Sequence, residues 1–244
     1  TVNVSGTVTV AAPAGKGGQV DVNGGDITLA TGAQVRADGT AGGGTVELGG
    51  QPWTADTART LDVQTGASVS ANATNNGNGG RITLWSNGQT TVSGELKARG
   101  GPNGGDGGFI ETSAKRGLRI ASVPDASSAK GKGGTWLIDP EDIEIIENGP
   151  PPEGVTQVQP SFIKLGLESG QDVEISVRGT LSGTGVITVT DPISATTNNR
   201  LTLNAQAGTG ININNDITLN GTASSLILLA GGTISAGKIG GTGP

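Results

Sequence analysis

The chain contains no cysteine, histidine, methionine or tyrosine, and only 2% of its residues are aromatic. Without Cys there are no disulfide staples, no thiol redox chemistry and no thiolate metal ligands. Without His or Cys there is no Ser-His-Asp or Cys-His arrangement for nucleophilic catalysis. The scarcity of large side chains argues against a round globular core. Basic blocks are missing and the formal net charge is −6. The sequence therefore predicts no nucleic-acid partner and no binding to an anionic membrane, since both reward clustered Lys and Arg. The longest apolar run, Leu226 to Ala230, is far too short to span a bilayer, so no membrane insertion is expected. No signal peptide is expected either, because Thr1 already reads as strand. The chain stops at Gly240–Pro244 without a capping element, and both ends are expected to be cuts from a longer protein.

What the chain does have is glycine, 45 residues of it, in no Gly-X-Y period, so collagen is excluded. Gly-Gly pairs open short alternating strands at Gly17-Gly18, Gly43-Gly44, Gly79-Gly80, Gly107-Gly108 and Gly133-Gly134. The starts lie roughly 26, 36, 28 and 26 residues apart by subtraction, the range of stacked structural repeats. A second signature recurs between them: Gly32 to Ala37, Gly66 to Ala71 and Gly94 to Ala98. Each holds a turn glycine, an inward apolar residue, an outward polar residue and a small Ala. Further short strands such as Ile27–Leu29 lie in between. Three short strands per coil, with Gly and Asn at the corners, give an all-β parallel solenoid. Each unit is too small to bury its own apolar face and must stack on its neighbours. An antiparallel sandwich shares the period-2 alternation, but regular two-residue hairpin turns are missing. Disorder, suggested by the Gly, Asn and Thr content, conflicts with that alternation. Val20, Val22, Val46, Leu48, Ile82, Leu84 and Ile110 are expected to line the interior of one sheet.

The pattern divides the chain into coils over 1–121, a transition segment over 122–170 and further coils over 171–244. The transition holds a polar loop, a Trp-Leu-Ile strand at 136–138 and a Pro-rich stretch at 150–152. Residues from about 147 to 160 are expected to leave the solenoid as a loop, because a Pro run cannot join a ladder. Ser161 and Gly170, with Ile163 and Leu167 four apart, predict a short helix with a Ser N-cap and a Gly stop.

Three stretches carry a resemblance. Gly107-Gly108-Phe109-Ile110-Glu111-Thr112-Ser113 resembles an element of large bacterial two-partner-secretion exoproteins, the filamentous haemagglutinin-like adhesins. Gly134-Thr135-Trp136-Leu137-Ile138-Asp139-Pro140-Glu141-Asp142-Ile143 is similar to a second element, and Ser161 to Ile175 to the segment that often follows. Order and spacing match over about 70 residues, from Gly107 to Ile175. Ala114 departs from the Gly usual in the family, and the Asn-Pro-Asn motifs of its secretion domain are missing. The resemblance implies a right-handed parallel β-helix from downstream of the secretion domain. It also implies secretion to the cell surface of a Gram-negative bacterium through an outer-membrane transporter of the secretion pair. Family members act as adhesins, biofilm-matrix proteins or toxin carriers.

The chemistry of the residues is sparse. Asp139, Glu141, Asp142, Glu144 and Glu147 form the only dense acidic group. Strand spacing faces Glu144 outward between inward Ile143 and Ile145, so a solvated acidic face outweighs an acid/base pair. Asp106, or Asp139 with its neighbours, could contribute to a Ca²⁺ site, but the Gly-Gly-x-Gly-x-Asp repeat is not present and no metal or other cofactor is assigned. Of the three tryptophans, Trp136 is expected to pack inside. Trp53 and Trp85 divide between packing and stacking on a sugar ring, and are the candidate ligand-binding residues. The sequence thus predicts a non-enzymatic adhesive or structural segment, with a host-cell or polysaccharide receptor as partner. A β-helical polysaccharide-degrading enzyme and a self-associating extracellular filament subunit are the alternatives.

Overall fold

The computed structural model describes residues 1–50, 57–149, 155–178 and 184–237. The chain winds through about eight turns of a β-solenoid in which every ladder between named strands is parallel. One wall is a continuous eight-stranded sheet made of 19–22, 45–48, 81–84, 109–113, 135–139, 172–178, 200–207 and 225–230. The glycine-led strands therefore lie one above another, as their shared register predicts. Val20 pairs in line with Val46, Ile82, Ile110 and Trp136, and Val22 with Leu48 and Leu84. All of these are buried except Val22, which is half-buried.

The Gly-Gly pair has a steric cause. The second glycine's N–H donates to the carbonyl of the Ala that closes the previous strand: Gly44 to Ala37, Gly80 to Ala71, Gly108 to Ala98 and Gly134 to Ala126, at 2.7–2.8 Å. A Cβ on Gly43, Gly79 or Gly107 would overlap the carbonyl oxygen of Ala71, Ala98 or Ala126 in the next coil. A Cβ on Gly44, Gly80 or Gly108 would overlap the carbonyl of the equivalent glycine in the coil before. Backbone meets backbone on both sides of this corner, so only glycine fits. The small Ala of the second sequence signature, at 37, 71 and 98, is the other half of the same joint, and Ala126 takes that place in the next coil; all four are fully buried.

The second wall is built from 2–4, 26–29, 60–63, 89–92 and 117–120, followed by 156–158, 143–145, 186–189, 210–213 and 233–236. The third begins as four strands, 7–9, 34–36, 68–70 and 95–97. Above them the chain contributes only a single bridge, Lys97 to Asp125. An α-helix, Pro160–Glu168, comes next, packed against 193–196, which pairs with 217–220. The helix thus occupies one coil's place in the third wall. Its Ile163 and Leu167 point into the core, and Gly166 lies against the Trp136 ring, where a Cβ would sit 3.1 Å from it.

Two expectations for this region are corrected. Residues 147–160 do not all leave the solenoid. Thr156–Val158 returns as a strand, parallel to Ile143–Ile145, with Thr156 and Val158 buried. It lies between that strand and 117–120, and Leu118 N–H donates to the Thr156 hydroxyl at 3.3 Å. A Thr-x-Val triplet is enough for one rung, and the Pro run, which prompted the loop assignment, lies outside the described residues apart from Gly149 before it. Ser161 is also not the N-cap. Gln159 holds that position, with Pro160 opening the helix. The Glu147 carboxylate accepts from Ser161 N–H and its hydroxyl, at 3.3 and 3.0 Å, so an acidic group from the preceding loop meets the helix N-terminus. The predicted stop is present: Gly170 follows the helix at φ +97° and donates to the Leu167 carbonyl.

Candidate binding surface

Between each corner Ala and the next Gly-Gly the chain bulges outward, at 38–42, 72–78, 99–106 and 127–132. These bulges stack into a ridge held by Asn and Asp side chains that bind the backbone of a neighbouring coil. Asp38 accepts from Asn72 N–H at 2.8 Å, Asn72 Nδ2 at 3.0 Å and Ser70 Oγ at 2.9 Å, and pairs with Arg36 at 3.2 Å. Asn72 Oδ1 in turn accepts from Arg99 N–H, Asn78 from Asp106 N–H, and Asp106 from Lys132 N–H. Asn103 donates to Asn75 at 2.6 Å. Turn polarity was visible in the sequence; this coil-to-coil pairing was not, because each partner lies about one repeat away.

A groove of about 550 Å³ opens beside this ridge. Lys97 enters it from the end of strand 95–97 and Arg99 from the start of the bulge that follows, and Thr74, Pro102, Ser127 and Ala129 line it from the bulges. Arg99 Nε donates to Asp125 at 2.5 Å, and Lys97 Nζ to Glu95 at 2.6 Å. Burial would raise the Asp125 carboxyl. The hydroxyl and amide of Ser127, and then Arg99, outweigh it and hold the group below its usual range.

The acidic group at 139–147 is used internally. Asp142 accepts from Thr184 N–H, its hydroxyl and Val186 N–H. Glu144 accepts from Gln157 and Thr190, and Glu147 from Ser161. Asp139 is buried at 3% exposure. Ile143 and Ile145 face inward with Glu144 half-buried between them, as the alternation predicts. Among the described residues no group of three or more carboxylates is placed to hold a metal ion.

Of the candidate sugar-stacking residues, Trp53 lies outside the described residues. Trp85 is only 3% exposed. Its ring presents no face to solvent, and stacking on a sugar needs one. Trp136 is fully buried and donates from Nε1 to the Thr112 hydroxyl at 3.1 Å. Phe109, on the outer face of the first wall, is covered by the Arg81 guanidinium 4.2 Å from its ring centre. Sequence reasoning missed Gln171. Fully buried, it stands one place before strand 172–178, where earlier coils have the second glycine. Its Oε1 accepts from Ala126 N–H at 2.6 Å and its Nε2 donates to the Pro124 carbonyl at 2.8 Å. The side-chain amide here takes the Ala126 N–H, whose counterparts at Ala71 and Ala98 donate to a backbone carbonyl of the next coil. No helix among the described residues is long and apolar enough to cross a membrane. No protein-family model matches the chain, and a search of curated proteins finds no significant relative.

Proposed function

We propose that the chain is a stiff segment of a secreted, rod-like surface protein of the two-partner-secretion class, working by display: the solenoid holds binding surfaces away from the cell. One observation carries this reading. The three stretches that resemble haemagglutinin-like adhesins come together in space. Strands 109–113, 135–139 and 172–178 pair in succession, and the helix that opens the third stretch packs on Trp136 and Val173. They form the joint at which the solenoid changes its third wall from strand to helix, which is a structural task. The conspicuous carboxylates are engaged with amides and hydroxyls, which supports a non-enzymatic reading over acid/base catalysis. The full-length protein would use an outer-membrane transporter and act at the surface of a Gram-negative bacterium, with a host-cell or polysaccharide receptor as partner.

Whole-cell and glycan-array binding, run beside depolymerisation assays on pectin and alginate, tests this. Binding without turnover is expected. Depolymerisation that disappears in Asp139→Asn with Asp142→Asn would replace the display reading with the polysaccharide-degrading one.

A further inference from the structure

We propose that the groove beside Lys97 and Arg99 binds an acidic oligosaccharide carrying a carboxylate on successive rings. The proposal rests on the display reading and assigns it a site. The groove follows from the architecture. The third wall ends as a strand stack at 95–97, the next coil adds one bridge at Asp125, and the helix C-cap, Ser169, comes beyond it. The step from strand to helix leaves a notch against the bulges. Its volume, about 550 Å³, lies within the range of small-ligand sites, roughly 300–1,000 Å³.

The lining suits a sugar. Pro102 and Ala129 offer small apolar surfaces for the C–H face of a ring. Thr74 and Ser127 bring hydroxyls to the walls. The charges select the acid. Arg99 engages Asp125 through Nε, and the other Asp125 oxygen is held by Ser127, so the two terminal nitrogens of Arg99 are unused by Asp125. Its side chain is half exposed. Lys97 has three donors, and its ion-pair partner Glu95 is 62% exposed. Exposed ion pairs of this kind contribute little, so a ligand carboxylate can exchange with Glu95 at small cost. Two cations two residues apart match a ligand with repeated carboxylates better than one with a single terminal charge.

The test is calorimetric titration of the whole chain with three probes: tetragalacturonic acid, its carboxyl-reduced neutral counterpart, and sialyllactose with one carboxylate. The acidic tetramer should bind best, and its binding should weaken as salt is raised. Lys97→Gln with Arg99→Gln should weaken it roughly tenfold or more, the scale of lost charge-assisted hydrogen bonds at a partly exposed site. Because that variant also disturbs the Asp125 pair, Ala129→Trp is the second arm. Ala129 is exposed, so the substitution should fill the groove and abolish binding with little change in melting temperature. Equal binding of the neutral tetramer, preferred binding of sialyllactose, or unchanged binding in both variants would overturn the proposal. If no tetramer binds but cells or arrayed glycans are still bound, the groove proposal alone fails; if they are not bound either, the display reading fails with it.

Discussion

The lower and upper coils solve the same packing problem with different materials. Up to about residue 110 the interior is built from Val, Leu and Ile on the walls, with Ala33, Ala37, Ala67, Ala71 and Ala98 near the corners. The corners close by backbone contact through Gly-Gly. From Ala114 onward the core holds Trp136 and a run of Ile and Leu, with Ile163 and Leu167 arriving from a helix. There the corner residue is Gln171, and in the next coil Asn199, whose Nδ2 donates to the Leu167 carbonyl at 2.7 Å. At the lower corners the backbones of adjacent coils touch and no side chain fits. The Trp136 coil keeps its Gly133-Gly134 corner, tight against the Gly170 and Gly108 carbonyls, and polar side chains enter at the corners of the two coils that follow. Corner chemistry therefore changes one coil after the core gains Trp136, where the helix arrives.

The comparison can be broken at its extremes. Trp136→Ala removes the largest fully buried side chain of the upper core and should cost about 3–5 kcal/mol in urea unfolding, the loss expected for a fully buried indole. Gly43→Ala adds one methyl group to a lower corner, where it meets the Ala71 carbonyl and Gly80 N. The expected loss is about 2–3 kcal/mol, the range of forced overpacking. An unchanged melting curve would show that the corners are not sterically closed. Gln171→Ala strands Ala126 N–H and the Pro124 carbonyl, and should cost about 1–3 kcal/mol. At Gly170 the space is open, with only the Ser127 side chain 4.0 Å away, but φ is +97°. Gly170→Ala should therefore cost only about 1 kcal/mol, from conformation and not from overlap. A Gly170 effect as large as that at Gly43 would erase the distinction between the two regions.

The smallest expected effect is on acid stability at the boundary. The Asp125 carboxyl is held below its usual range in the fold. Its contribution is complete above the unfolded value, about 3.9, and is lost as pH falls through the lower folded value. Stability measured by urea melts should decline below about pH 4, and the decline should be shallower in Asp125→Asn. Asp26, lowered by its hydrogen bond from Thr60 and by Arg59, should add a slope of the same sign.

The glycine pairs, the inward positions and the helix were legible in the sequence because each rests on local stereochemistry repeated at intervals. Gly43-Gly44 and Gly79-Gly80 announce a joint whether or not its partner is known. Asp38, Asp125 and Gln171 were not legible. Their meaning lies in partners brought near by stacking, such as Asn72 for Asp38 and Ala126 for Gln171. Strand 156–158 was hidden by the proline run before it, and Ser161 drew attention from Glu147, which reaches the helix from fourteen residues earlier. The groove was invisible for the same reason: it exists only where the third wall changes from strand to helix.

Strand 156–158 has a kinetic consequence. A solenoid can assemble by templating, each new coil laid on the exposed edge of the last. Here the chain emerges out of order. Residues 143–145 are made first but belong one layer farther on, and the layer beneath them is filled later by 156–158. Growth from the lower coils must pause until that segment arrives, or else 143–145 docks early on 117–120 and has to be displaced. Coils beyond the helix can form only after this exchange is complete. The boundary is therefore also a timing step, expected to appear as a slow refolding phase that is absent from a chain ending before Ile143.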